Sequence, residues 1–400
     1  MLLLLCIDGR NSISLIRSNV NDLVKRYTRR DFIKCVAIGG AILSVSGAVP
    51  KSLYAADKDR DDDCEFYIID AHAHPDKWKS SDDSDSLVDI KELGMVASVF
   101  AAIGDAVYQS RAHPSPITGT NEFHYTINQM DYWLSGNTGT SGIPNGIVEN
   151  GDVKLVLKSQ DIPKCINQRN PVPGAILAIE GGDALEGKVR RVNEFYGLGV
   201  RLITIIHYRN SELGDTGMPH MNSAGVPDLD PGPYNGGLTD MGKKVIDRMR
   251  ELGMIVDVAH ANHDTLIDIL DMKTGPVVDS HTSLYTGPTG GVGRLRTWDE
   301  MEAIAKSGGV ICNWPQSTPN RNSFLGWANE INEMKHNLGI EHVSVGTDGG
   351  GQLPSPVSGY HDVRDLSQLI STMQDIGFKK NEINLIMGGN FHRVFKQSVE

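Results

Sequence analysis

Ile68-Ile69-Asp70-Ala71-His72-Ala73-His74 is a short apolar run that ends in two histidines one residue apart. Side chains alternate along an extended strand, so His72 and His74 leave the same face and can grip one cation between two imidazole nitrogens. Alone the pair is a weak signal, because two solvated loop histidines show the same spacing. It gains weight from five later strand-like runs that also end in a residue able to ligate metal or move a proton.

From Phe66 onward a β-branched apolar run, a loop and an amphipathic stretch repeat. Strands are expected at 66–72, 95–102, 174–180, 200–207, 254–260, 276–281, 309–313 and 342–348. Helical spacing of apolar residues predicts helices at 239–252, 263–272, 298–307 and 326–338, with Gly253, Gly275, Gly308 and Gly339 as their stops. Eight strands alternating with helices predict an α/β fold of the (β/α)8 TIM-barrel type, whose site forms at the C-terminal ends of the strands. A doubly wound open sheet is the alternative, and it would gather its site at one switch point. A ninth apolar run, Val153 to Leu157, ends in Lys158-Ser159 and stands outside the predicted barrel. Residues 105 to 151 read as an insertion carrying a helix at 121–134, expected over the barrel mouth as part of a substrate wall.

The polar residues fall at the strand ends. Strand one ends in His72 and His74, strand three in Glu180, strand four in His207, strand five in His260, strand six in His281 and strand eight in Asp348. A barrel brings such residues together over one mouth; an open sheet scatters them. Four histidines and one carboxylate suit two divalent cations, with His72 and His74 on one, His260 and His281 on the other, and Glu180 bridging. Two ions about 3.5–4 Å apart can share a hydroxide and polarise a carbonyl. Asp348 would then take the water proton and hand it to the leaving group, while His207, outside the ligand set, steadies the oxyanion. Each residue also has a plainer reading as a satisfied core or loop residue, and Asp348 before Gly349-Gly350-Gly351 could be a turn former. Coincidence at six of eight strand ends is the weaker explanation. The glycine run lacks the P-loop lysine and the dinucleotide spacing, so it is not read as a phosphate cradle.

Composition and the chain's start set the setting. The 400 residues suit one barrel or two domains, with 40% hydrophobic residues and a formal net charge of −12 that argues against nucleic acid or an anionic membrane as partner. Tyr27-Thr28-Arg29-Arg30-Asp31-Phe32-Ile33-Lys34, followed by an apolar segment from Cys35 to Pro50 and by Ala55-Ala56, resembles a twin-arginine export signal. At about 15 residues the apolar segment falls short of the roughly 20 that span a bilayer, so residues 1 to 56 are read as a cleaved signal, with an uncleaved tether as the alternative. The membrane then enters only through export, to the periplasm or beyond. Residues 1 to 26 are a long lead-in, open to being untranslated. Residues 57 to 65 read as a flexible, charge-rich start and 66 to 400 as the hydrolase barrel. Beyond the signal, Cys64, Cys165 and Cys312 fit no zinc spacing and imply buried thiols, or one disulfide and a spare.

The sequence resembles the membrane (renal) dipeptidase family of the amidohydrolase superfamily from Ile68 to Phe395. The matching stretches are Ala178-Ile179-Glu180-Gly181-Gly182, Gly199-Val200-Arg201-Leu202-Ile203-Thr204, Gly237-Leu238-Thr239-Asp240-Met241-Gly242, Val256-Asp257-Val258-Ala259-His260, Ser280-His281-Thr282-Ser283 and Gly389-Asn390-Phe391-His392-Arg393-Val394-Phe395. Asn210 and Asp215 follow His207 at the family's spacing. The resemblance implies a (β/α)8 barrel, a binuclear zinc site and hydrolysis of dipeptides, some with a D-residue at the carboxyl side. It carries metal roles onto His72, Glu180, His260 and His281, substrate binding onto His207 and acid/base work onto Asp348. It also implies an arginine after strand six for the substrate carboxylate, best matched by Arg294 with Arg296 next, and family members are often homodimers.

Three motifs depart from the family. His-x-Asp becomes His72-Ala73-His74, which makes one metal position less anionic; Asp-Phe-Asp-Gly becomes Asp348-Gly349-Gly350-Gly351; and Asn-Phe-Tyr becomes Asn313-Trp314-Pro315. The expectation is a metal-dependent dipeptidase-type hydrolase holding two divalent ions, zinc first among them, and cutting an amide bond in a small peptide-like substrate. Another amidohydrolase reaction, on an N-acyl amino acid or a lactone, is the closest alternative, and a non-catalytic binding barrel is the alternative of a different class.

Overall fold

The computed structural model describes residues 65–74, 87–105, 121–135, 146–166, 172–217, 233–285, 295–318, 321–351 and 355–400, with short strands at 2–7, 13–18, 220–221 and 227–229. The chain divides into two compact units, Met1–Asp59 and Arg60–Glu400. Among the described residues the first unit holds one antiparallel pair, Leu2–Ile7 with Ile13–Ser18. The export-signal stretch, residues 27 to 56, lies outside the described residues, as do Cys64 and Arg294. No helix among the described residues is long and apolar enough to cross a membrane.

The second unit is an eight-stranded parallel sheet rolled into a nearly closed barrel. Its strands are β1 Ile69–Ala73, β2 Ala97–Ile103, β3 Gly174–Glu180, β4 Val200–Thr204, β5 Ile255–Asp257, β6 Val278–Thr282, β7 Val310–Asn313 and β8 Val343–Val345, each hydrogen-bonded to the next in that order. Nearly every strand residue is buried, as a parallel sheet covered by helices on one face and filled on the other requires. β8 returns to β1 through an Ala73–Gly349 bridge, the His74 amide donating to Gly349 O at 2.7 Å and the Asp348 amide to His72 O at 2.9 Å. Asp70 strengthens this seam, accepting from the Thr347 amide at 2.8 Å and its hydroxyl at 2.5 Å.

The helices begin and end where local chemistry dictates. They include α1 Leu87–Leu93, α2 Glu122–Leu134, α3 Arg190–Leu198, α4 Asp240–Glu251, α5 His263–Asp271, α6 Trp298–Lys306, α7 Phe324–Leu338, α8 Leu366–Asp375, α9 Lys380–Asn384 and α10 Asn390–Val399. Asn121, Thr239, Asn262, Thr297 and Ser323 cap α2, α4, α5, α6 and α7, each side-chain oxygen accepting an otherwise orphaned amide of the first turn. Along β3, Ala175, Leu177 and Ile179 join the apolar layer under the helices, whereas Ile176 and Ala178 join a smaller cluster with Val99 and Ala101. Glu180 continues the second alternation, which aims its carboxylate into the barrel mouth.

Two features differ from the sequence reading. β4, β5 and β8 stop short, so His207, His260 and Asp348 each lie three residues past a strand end, in the loop. His260 at φ 65° and Asp348 at φ 53° occupy the left-handed region, which no ladder residue can keep. The helix of the insertion, α2, does not cover the mouth. It packs on the flank of β2, with Trp133 edge-on to Phe100 at 6.1 Å and Gln129 bonded to Ile103, so it serves as a barrel helix. The rest of the insertion, at 106–120 and 136–145, lies outside the described residues. The ninth run pairs Lys154–Leu155 beside the start of β3, off the barrel path as expected. Cys165 is disulfide-bonded and Cys312 is a buried free thiol.

Candidate metal centre

Glu180 is the last residue of β3, and five imidazoles converge on its carboxylate. His72, His260 and His281 present Nε2 to Oε1 at 3.4, 3.1 and 3.3 Å; His74 and His207 present Nε2 to Oε2 at 3.2 and 3.3 Å. Asp348 joins through His74, its Oδ1 being 3.2 Å from the same Nε2. All seven residues are buried. The barrel therefore brings together every strand-end residue singled out in the sequence. Backbone packing makes the approach possible at Gly104, whose amide donates to Glu180 O at 2.6 Å and where a Cβ would stand 1.9 Å from Gly181 O.

Which nitrogen of His74, His281 and His72 faces the centre is fixed from behind. His74 Nδ1 lies 3.1 Å from Ala101 O, a carbonyl that can only accept, so this nitrogen carries the proton. His281 and His72 place Nδ1 at 2.8 and 3.3 Å from Ser280 Oγ, whose own proton goes to Asp257. Held neutral in these tautomers, as metal ligands must be, the three imidazoles would aim bare Nε2 lone pairs at a carboxylate. Lone pairs and an anion repel, and the arrangement becomes favourable when cations lie among them. The donor set, imidazole nitrogens with carboxylate oxygens, fits divalent metal. Ligand atoms group within 4.8 Å of one another in three sets: His72, His74 and Glu180; Glu180, His260 and His281; and His72, His281 and Asp348.

The electrostatics show the same demand for positive charge. Burial pushes the Glu180 carboxyl up, but the charges of His207 and His72 and the hydrogen bonds of His260 and His281 outweigh it and hold the group well below the usual range. Burial disfavours a charged His74, yet its bonds to Asp348 and Glu180 lift it well above an ordinary imidazole.

His207 is held differently from the rest. Its Nδ1 faces Asp105 Oδ1 at 2.7 Å, and Asp105 also accepts the Tyr208 amide at 3.2 Å. Burial lowers its affinity for a proton; the Asp105 and Glu180 charges reverse this and raise it. The Tyr208 ring stacks on His207 at 3.9 Å and stands edge-on to His260 at 5.6 Å, while Trp314 lies 5.9 Å from His281. Asp105 and Tyr208 escaped the sequence reading. The signal for Asp105 existed, because it stands two residues past β2 and repeats the strand-end rule.

Arg296, the second choice for the substrate carboxylate, is excluded from that role. It is fully buried, with Nε on Asp279 Oδ2 at 2.6 Å, Nη1 on Ala261 O at 2.8 Å and Nη2 on Val258 O at 2.7 Å. Its guanidinium braces the loop that carries His260, and nothing of it reaches the mouth.

The sequence model of the membrane dipeptidase family, peptidase family M19, matches residues 147–400. The chain belongs to this family. Among curated relatives it is 30% identical over 256 residues to the uncharacterized dipeptidase C965.12 of Schizosaccharomyces pombe, covering 62% of this chain and 58% of that protein. It is 24% identical over 252 residues to Dipeptidase tcpJ of Claviceps purpurea, covering 61% and 55%. The match thus spans little more than half the length of either relative. Solved structures share the fold: the probable dipeptidase PvdM of Pseudomonas aeruginosa at TM-score 0.67 and 17% identity, covering 84% of this chain and 95% of that one. A metallo peptidase of Rhodobacter sphaeroides, liganded with a phosphinate mimic of the dipeptide L-Ala-D-Ala, superposes at TM-score 0.66 and 17% identity over 83% and 99%.

Proposed function

We propose that this M19 chain is a metal-dependent dipeptidase that hydrolyses the amide bond of a dipeptide. The observation that carries the reading is the convergence of five imidazoles on Glu180, and the dipeptide mimic held by the Rhodobacter sphaeroides peptidase supports the substrate class. His72 and His74 would hold one divalent ion, His260 and His281 a second, with Glu180 shared; the nitrogen-rich set favours zinc. The bound ions supply Lewis acidity and a nucleophilic water near neutral pH.

The chain's own groups do the rest. Asp348, fixed at φ 53° by the bond from its amide to His72 O, takes the proton of the attacking water and returns it to the amide nitrogen as the bond breaks. His207, charged through Asp105, donates from Nε2 to the carbonyl oxygen as negative charge gathers there. Tyr208 and Trp314 wall the mouth and exclude water beside His207 and His281. Arg294 would bind the substrate carboxylate. The products are two amino acids, one keeping the original free carboxylate.

The test is a panel on zinc-loaded protein: dipeptides, including Gly-D-Ala types, against lactones and N-acyl amino acids. Dipeptide turnover supports the reading. Turnover confined to lactones or acyl amino acids favours another amidohydrolase, and ligand binding without any turnover favours a binding barrel. The twin-arginine stretch supports export to the periplasm or beyond, and replacing Arg29 and Arg30 by lysine should then trap the protein in the cytoplasm. The homodimer implied by the family resemblance is tested by light scattering.

A further inference from the structure

Ser280 and His281 are neighbours in β6, where strand alternation would send their side chains to opposite faces. Here they meet, because the pairing with β7 slips register between Asp279 and Thr282. Gly346, the residue after β8, makes room, since a Cβ there would stand 1.9 Å from Ser280 O. The Ser280 hydroxyl consequently lies under two rings at once, those of His281 and His72, whose centroids are 4.0 Å apart.

A hydroxyl has one proton and two lone pairs. The proton is committed to Asp257 Oδ2 at 2.7 Å, because a carboxylate can only accept; Thr204 Oγ1 donates to the same oxygen at 2.6 Å, and the amides of Ala259 and Ser280 donate to Oδ1 at 3.1 and 3.0 Å. Both lone pairs are left for imidazole protons, from His281 Nδ1 at 2.8 Å and His72 Nδ1 at 3.3 Å. His72 groups with His74 and Glu180 in one ligand set, and His281 with His260 and Glu180 in another.

We propose that Ser280 is a positioning residue that sets the tautomer of one imidazole from each of the two cation positions, so that a single hydroxyl supports both positions. The inference rests on the two-cation reading above. Losing an oriented partner behind a metal-bound imidazole typically weakens metal affinity about 10- to 100-fold. With one hydroxyl behind both rings, its removal weakens both positions, whereas separate partners would weaken one.

The test uses the full chain and zinc alone, titrated against a fluorescent chelator. The parent is expected to bind two ions, Ser280→Ala to bind both about 10- to 100-fold more weakly, and Ser280→Thr to recover both. A parent binding two ions beside a Ser280→Ala that loses affinity at one position or at neither overturns the inference alone. A parent binding fewer than two overturns the two-cation reading and the inference with it. Nitrogen-15 spectra of histidine-labelled, zinc-free parent at alkaline pH test the same point without any variant. Both His72 and His281 are expected as Nδ1–H tautomers, and either one as Nε2–H contradicts the proposal.

Discussion

Asp105 Oδ1 accepts the Nδ1 proton of His207 across 2.7 Å, joining the end of β2 to the loop after β4 over 102 residues of chain. This contact fixes which nitrogen His207 turns to the mouth and stabilises its charged form. Asp105→Asn keeps an acceptor oxygen but removes the charge that favours the imidazolium. The expected outcome is a kcat/KM lower by about 10²–10³, the usual effect of losing an oxyanion donor, with zinc content unchanged. Steady-state kinetics beside metal analysis check this, and an unaltered rate would remove His207 from the chemistry.

Asp348 and His260 should fail in different ways. Asp348→Asn keeps the size of the side chain and cannot take a proton, so the ions should stay and the rate should fall by about 10²–10⁴. His260→Ala removes a nitrogen 3.1 Å from Glu180 Oε1 and should lose metal first. Metal analysis separates the two: an Asp348→Asn protein stripped of zinc would make Asp348 a ligand rather than an acid/base.

Asp183 gives a pH dependence of stability outside the metal centre. Burial and then the neighbouring Asp105 charge push its carboxyl up to about 7, with the Arg209 guanidinium opposing. A carboxyl that titrates higher when folded takes up a proton on folding, so its contribution is fully present below the unfolded value near 4 and is lost as pH rises toward 7. Asp183→Asn should flatten that decline, gaining on the parent by a few kcal/mol, as an order of magnitude, between about pH 4 and 7. Denaturant midpoints across this range check it; parallel curves for the two proteins would contradict it.

Arg296 is a stability determinant. Arg296→Ala leaves Asp279 buried without its cation and frees the carbonyls of Val258 and Ala261. Breaking a buried pair from one side costs about 3–5 kcal/mol, so the melting temperature should fall sharply. Zinc affinity should fall as well, since the braced loop carries His260. Calorimetry on the metal-free and zinc-loaded protein separates the two effects.

Most of the barrel and the seven converging side chains were legible because they obey short-range rules: alternation on a strand, helical spacing, glycine stops and ligands at strand ends. What escaped depends on register and burial. Ser280 beside His281 reads as the opposite face until the slip in the β6–β7 pairing is seen. Arg294 and Arg296 look alike in sequence, and only burial against Asp279 shows Arg296 to be a brace. Asp105 reads as the start of an insertion because its partner lies two strands away. His260 looked like a strand residue because Val258 and Ala259 carry the apolar run up to it, and Asp348 because the β-branched Thr347 precedes it, but the ladders end three residues earlier and both residues take a left-handed backbone in the loop.

The most direct measurement is the metal content of the purified, zinc-loaded chain beside Glu180→Ala. Two ions per parent chain, falling below one when the carboxylate shared by five imidazoles is removed, are expected. A parent that retains less than one ion per chain, or a Glu180→Ala protein that still holds two, would contradict the shared centre from which the rest is built.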